Sequence, residues 1–191
     1  MTDKLPIHLG GHKGKTHLDH GALIYLKKQF KIKTMLDIGC GPAGMVKLAH
    51  DNNINAYGID GDYNVAKIVD PKYITIHDYT LGPSPFNLEV DLVWSVEFLE
   101  HVYEEYQEHY MQDFARGQYA LITFAPPGKK GHHHVNCNTN DYWIDVFDRY
   151  GFTCDLKITE KVKNASTMNV KGKLPTRKSW IKNNGLFFIK R

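Results

Sequence analysis

The chain has 191 residues, 42% of them hydrophobic and 24% charged, with a formal net charge of +3; that is enough apolar material for one core, and a single domain over 1–191 is expected. No apolar run nears the roughly 18 residues of a membrane span and no charged-then-apolar signal segment opens the chain, so a soluble, cytoplasmic protein without membrane partners is expected. Three cysteines, Cys40, Cys137 and Cys154, make an odd count without C-x-x-C spacing, which argues against a disulfide framework or a cysteine zinc site.

In chain order, 1–19 is rich in Gly, His and Lys and reads as a flexible or lid-like segment. Its Gly-Lys-Thr at 14–16 is no phosphate loop, because Leu9 stands where that motif needs glycine; His12, Lys15 and His17 are its candidate polar contacts. A leading helix is predicted over 20–30, a strand over 33–38, a helix over 42–51 and a second strand over 56–60. A third strand follows at 73–76, then a mostly irregular stretch over 79–89 that contains Pro83 and Pro85. The fourth strand spans 91–95, a helix 98–114 and a fifth strand 118–125, stopped by Pro126 and Pro127. After a Gly/His/Asn loop come a helix over 140–150 and two strand-like runs, 153–159 and 186–189. This alternation implies an α/β fold with a parallel sheet between two helical layers.

Charge is unevenly distributed. Residues 157–191, read as basic strands and loop, carry ten Lys/Arg against one acid, Glu160, for a local charge of +9, and the remainder carries −6. That asymmetry describes either a solubilising face or a surface that attracts an anionic acceptor. Neither a helix-turn-helix nor a zinc-finger pattern is present, so sequence-specific DNA binding is not expected.

The first strand ends in Asp37 and runs directly into Gly39, Cys40, Gly41, Pro42, Ala43 and Gly44. Glycines there let a ligand approach the backbone closely, and proline suits the first turn of the helix that follows. The pattern Asp-x-Gly-x-Gly-x-x-Gly resembles the first motif of the Rossmann-like, class I S-adenosylmethionine-dependent methyltransferases. The resemblance covers nearly the whole chain and implies a seven-stranded, mostly parallel sheet whose last strand inserts antiparallel beside the fifth. It also implies that Asp37 faces the donor's amino group, that Asp60, followed by Gly61, accepts from the ribose hydroxyls, and that Asp78 meets the adenine amino group, with Tyr79 and Ser95 beside the donor. Without a donor, the same acids would serve as helix N-caps or exposed loop carboxylates.

Directly after the fourth strand stands Glu97-Phe98-Leu99-Glu100-His101. On a helix, i, i+3 and i+4 share a face, so Glu97, Glu100 and His101 are expected to converge at the carboxyl edge of the sheet. This wording resembles the ubiquinone-biosynthesis O-methyltransferases and the small-RNA 3′-terminal 2′-O-methyltransferases, in which such a set and a later histidine bind a metal. That resemblance implies a site of Glu97, Glu100, His101 and His134, with His132 and His133 as near alternatives, and His101, His133 and His134 as candidates for proton transfer. A mixed Glu/His shell suits Mg²⁺, Mn²⁺, Fe²⁺ or Zn²⁺ without choosing among them. Glu104, Glu105 and Glu108 continue the acidity, which by itself also describes a solvated helix face.

Ala125-Pro126-Pro127-Gly128 with the following Gly-His-His-His-Val-Asn is similar to short methyltransferases of tailed phages, which would place the protein in the host cytoplasm. The expected activity is O-methyl transfer to a diol-bearing acceptor, whether a sugar or glycan, an RNA 3′ end or a catechol-like metabolite. A non-catalytic S-adenosylmethionine-binding protein and an NAD-dependent oxidoreductase remain open, the latter having no use for the Glu-x-x-Glu-His set.

Overall fold

A computed structural model describes residues 5–171 and 174–191. Its regular elements are α1 (His20–Phe30), β1 (Thr34–Ile38), α2 (Gly44–Asp51), β2 (Asn55–Asp60), β3 (Ile74–Ile76), β4 (Val90–Ser95), α3 (Gln107–Phe114), β5 (Gly117–Ile122), α4 (Asn140–Arg149), β6 (Phe152–Cys154), α5 (Leu156–Ala165), β7 (Val170–Lys171), β8 (Leu174–Pro175), α6 (Trp180–Asn184) and β9 (Leu186–Lys190). Seven strands form one sheet in the order β3-β2-β1-β4-β5-β9-β6, and β7 and β8 pair separately. The pairs from β3 through β5 are parallel, whereas β9 lies antiparallel between β5 and β6. The α/β class, the seven strands and the antiparallel last strand are as expected.

Burial explains the layers. Strand β1 is buried along Met35, Leu36, Asp37 and Ile38, and β4 from Leu92 to Ser95, as strands covered on both faces must be. One core on one face of the sheet takes Leu23 and Leu26 of α1, Met45 and Val46 of α2, Ile158 and Val162 of α5 and Ile181 of α6. The other core takes Tyr110 and Phe114 of α3 and Trp143 and Phe147 of α4.

Two expectations are corrected. Residues 98–114 do not form one helix: short 3-10 turns at Leu99–His101 and Glu104–Tyr106 precede α3. Val102 between them is extended at φ −110°, ψ 127°, a conformation that suits a β-branched residue. The strand predicted over 153–159 ends at Cys154, and α5 begins two residues later because Asp155 caps it, accepting from Ile158 N at 2.9 Å. Alternation of Cys154, Leu156 and Ile158 mimics a strand, but the buried set is Ile158, Thr159 and Val162, a helical spacing, and Leu156 is exposed. The basic segment 157–191 therefore contains helices α5 and α6 as well as strands.

The N-terminal segment is anchored at Asp19, which is fully buried. Its carboxylate caps α1 through Ala22 N at 2.9 Å and accepts from Thr167 N at 2.9 Å and from the Ser166 hydroxyl. Upstream, Thr16 Oγ1 accepts from Gly44 N at 3.1 Å. Residues 1–4 and 172–173 of the two terminal segments lie outside the described residues. Asp19→Ala removes a cap and leaves buried donors unpaired, each worth about 1 kcal/mol or more. We expect a loss of at least about 2 kcal/mol in urea unfolding, with an unchanged m-value.

Candidate active site

Strands β1, β2 and β4 deliver their carboxyl ends to one cleft of ≈ 810 Å³, walled by Asp37, Gly39, Gly41, Asp60, Gly61 and Asp78 on one side and by Glu97, His101, His133 and His134 on the other. At the β1 turn Gly39 has φ +74°, and a Cβ there would lie 2.7 Å from the Phe98 ring, so both conformation and space require glycine. Asp60 Oδ2 accepts from Gly41 N at 2.7 Å and Oδ1 from Asp62 N at 2.8 Å. Each oxygen keeps a further lone pair free for the cleft. Asp37 is buried, and burial, followed by the negative charge of Asp60, raises its pKa well above the usual carboxylate range.

Asp78 behaves differently. Its burial would raise its pKa, but this is outweighed by His8, 2.8 Å away, and by Thr80 N at 2.9 Å, so the net shift is downward. His8 thus already holds one Asp78 oxygen. Tyr79 lines the cleft with its ring, but its hydroxyl donates to Asp113 Oδ2 at 2.7 Å. Ser95 and Gly44 are not part of the cleft wall. The Ser95 hydroxyl donates to Ile38 O at 3.0 Å, tying β4 to β1, and Gly44 N is spent on Thr16.

The opposite wall is built by backbone bonds. Glu97 takes φ +58°, in the left-handed region, and its N donates to Thr123 Oγ1 at 2.9 Å. Because the chain then turns instead of continuing as an α-helix, the Glu100 carbonyl is not spent on residue 104. It accepts from Val135 N at 2.9 Å and Asn136 N at 3.2 Å, which hangs the histidine loop directly over Glu100. Ligand atoms of Glu100, His101 and His134 consequently lie within 4.8 Å of one another. Glu97 stands beside this trio, outside it, so three of the four expected metal-binding residues converge, and they do so through a 3-10 turn and a loop tether.

The trio has residue types and a spacing that could hold a cation. Glu100 is fully buried, and among the described residues no other residue's amide, hydroxyl or imidazole donates to its carboxylate; it shares a proton with the Glu97 carboxyl, and ionising both acids is costly without a cation. Burial pushes its pKa up to about 7; burial and then the Glu100 carboxylate push Glu97 up to about 9. Burial and then the neighbouring His134 ring hold His101 down to about 4. His134 Nδ1 donates to Lys129 O at 2.9 Å, leaving Nε2 with a free lone pair, the tautomer a metal ligand needs. A Cβ at Gly131 would lie 2.0 Å from that Nε2. His133 is outside the trio; its ring is 5.4 Å from Tyr103, and burial, then His8 and His132, lower its pKa.

Sequence reasoning missed Asp62, Thr123 and His8. Asp62 is buried, lies 3.1 Å from His12 Nε2 and accepts from Asn64 N at 2.8 Å; the Asp-x-Asn spacing is a signal for that Asx turn. Thr123 and His8 have no local signal, being recruited from distant strand and segment.

A carboxyl whose folded pKa is raised binds protons that the unfolded chain has already released. Its favourable contribution is present in full below the unfolded value and is lost as pH rises through the folded one. For Glu100 and Glu97 the metal-free protein should therefore lose stability as pH climbs from about 4.5 through about 7 and on to about 9. Thermal unfolding across that window should show the decline, with Glu97→Gln removing its upper part.

Residues 36–117 match the family model of the methyltransferase domain. A comparison with curated proteins finds no match in sequence. Among solved structures, a TehB-like SAM-dependent methyltransferase from Corynebacterium glutamicum is similar at a TM-score of 0.61 and 15% identity, over 90% of this chain and 88% of that one. Magnesium protoporphyrin IX methyltransferase from Synechocystis, solved with bound SAM, aligns at 0.60 and 14% over 89% and 76%. The methyltransferase domain of bacterial CtHen1-C aligns at 0.59 and 17% over 89% and 95%. Residues 36–117 thus match the methyltransferase domain, and the chain shares its fold with SAM-dependent methyltransferases of known structure.

Proposed function

We propose that the protein is an S-adenosylmethionine-dependent O-methyltransferase, assisted by a divalent cation, that acts on a hydroxyl of a diol-bearing acceptor such as a sugar, an RNA 3′ end or a catechol. The observation that carries this reading is the buried Glu100 carboxylate, which shares a proton with the Glu97 carboxyl and lies beside the His101 and His134 rings. Nothing in donor binding alone calls for such a group.

On the donor side, Asp60 has lone pairs to accept from the ribose hydroxyls after serving Gly41 and Asp62. Asp37 would meet the donor's ammonium, a positive charge that would bring its raised pKa back down. The bound donor supplies an electrophilic methyl group on its sulfonium, so the protein's task is to align an oxygen with it and to remove a proton.

On the acceptor side, Glu100 Oε, His101 and His134 Nε2 would hold the cation, with Glu97 beside them. When bound, such an ion lowers the cost of ionising an acceptor hydroxyl. His101 is held neutral by its burial, so its lone pair is available at physiological pH without displacing a proton. His133 lines the same cleft with an unpartnered Nε2 and a lowered pKa, which suits it to accept the hydroxyl proton.

Glu100→Ala should lower methyl transfer by at least ~100-fold, the several kcal/mol that such charge stabilisation supplies, while S-adenosylhomocysteine binding by calorimetry stays within about twofold. Asp60→Ala should show the reverse order of effects, losing the donor first. Undiminished turnover by Glu100→Ala would remove the metal-assisted mechanism.

A further inference from the structure

Five cations line the cleft: Lys15 from the N-terminal segment, Lys129 and Lys130 from the loop after β5, and Arg177 and Lys178 from the turn before α6. All five are exposed, and among the described residues none forms an ion pair with a carboxylate. Elsewhere some cations are ion-paired, Lys47 with Asp51, Lys72 with Asp70, Arg116 with Glu89 and Asp113, Lys163 with Glu160 and Arg191 with Asp148, whereas Lys27, Lys182 and Lys190 reach backbone carbonyls. What sets these five apart is their place: three separate stretches of chain bring them to the lining of one cleft.

These side chains also stand on fixed backbone. The 176–179 turn is pinned to Asn169, whose side chain donates to Lys178 O at 2.8 Å and whose carbonyl accepts from Thr176 Oγ1 at 2.8 Å and Ser179 Oγ at 3.1 Å. Lys129 N closes a turn onto Pro126 O at 3.1 Å, and Lys129 O holds His134. Lys178 and Lys15 both lie near enough to His17 for their charge to depress its pKa, after the effect of its burial. His17 in turn packs edge-on to Trp180 at 4.2 Å. A merely solubilising lysine face has no need of hydrogen-bonded turns aimed at one cleft.

We propose that the acceptor carries phosphate, as an ester or diester held by Lys15, Lys129, Lys130, Arg177 and Lys178 while its hydroxyl reaches the Glu100–His101–His134 wall. This inference rests on the methyltransferase reading of the same cleft and narrows its acceptor to phosphorylated compounds. Cations on three separate chain segments fit a group bearing two or more negative charges better than a lone carboxylate, and their exposure keeps the cost of desolvating them low.

The test measures equilibrium binding of three probes to the full chain in 50 and 300 mM salt: inorganic tripolyphosphate as the shared chemistry, UDP-glucose as a small phosphorylated acceptor, and a ten-nucleotide RNA as a strand. The proteins are wild type, Arg177→Ala/Lys178→Ala and Lys129→Ala/Lys130→Ala, with S-adenosylhomocysteine binding measured on each. Tripolyphosphate and at least one acceptor probe should bind, weaken at high salt and lose about tenfold or more in each double variant, with S-adenosylhomocysteine unchanged; the stronger of UDP-glucose and RNA identifies the source. Probes that bind the variants as well as wild type, or that fail to bind a protein that binds S-adenosylhomocysteine, would overturn the proposal. Salt-sensitive, variant-sensitive probe binding without S-adenosylhomocysteine binding would sink the donor reading and leave the phosphate site standing.

Discussion

Two backbone amides, those of Val135 and Asn136, donate to one carbonyl, that of Glu100, and the Glu100–His101–His134 wall of the cleft depends on that tether. A carbonyl inside an α-helix is already committed four residues onward. The left-handed φ of Glu97 and the extended Val102 break the helix on both sides of Glu100, which releases the carbonyl to hold a loop from the next strand. His134 reaches Glu100 and His101 because its loop is bonded at that point. The local strain at Glu97 is offset by the bond from its N to Thr123.

The two walls of the cleft follow opposite electrostatic designs. On the wall built by β1 and β2, Asp60 accepts from the Gly41 and Asp62 amides, whereas Asp37 is buried beside it with its pKa raised. On the opposite wall, Glu100 is paired with another acid, Glu97, so the two cannot both ionise at low cost unless a cation stands beside them. The exposed cations at the mouth add a third zone. A cleft with acids in its depth and bases at its rim can hold a positively charged donor and a negatively charged acceptor without placing like charges together.

The N-terminal segment links these zones. Asp19 roots it against 166–167, Thr16 holds the α2 entrance, and His12 and His8 lie against Asp62 and Asp78. These are short polar contacts, His12 to the buried Asp62 at 3.1 Å and His8 to Asp78 at 2.8 Å.

The sequence by itself determined the sheet and its donor end. Apolar runs of strand length, an acid at the close of β1 and β2 and glycines in the intervening turn are local properties, and local properties are legible one residue at a time. The Glu-x-x-Glu-His set and the triple histidine were legible as chemistry, though the expected helix face was not what joined them. Tertiary structure alone decided that Glu100, His101 and His134 meet while Glu97 stands aside, and that Ser95 and the Tyr79 hydroxyl are spent on Ile38 and Asp113. The physical reason is the same in each case. A side chain's partner is chosen by whichever donor or acceptor the fold leaves uncommitted nearby, and that inventory does not exist until strands far apart in the chain have paired.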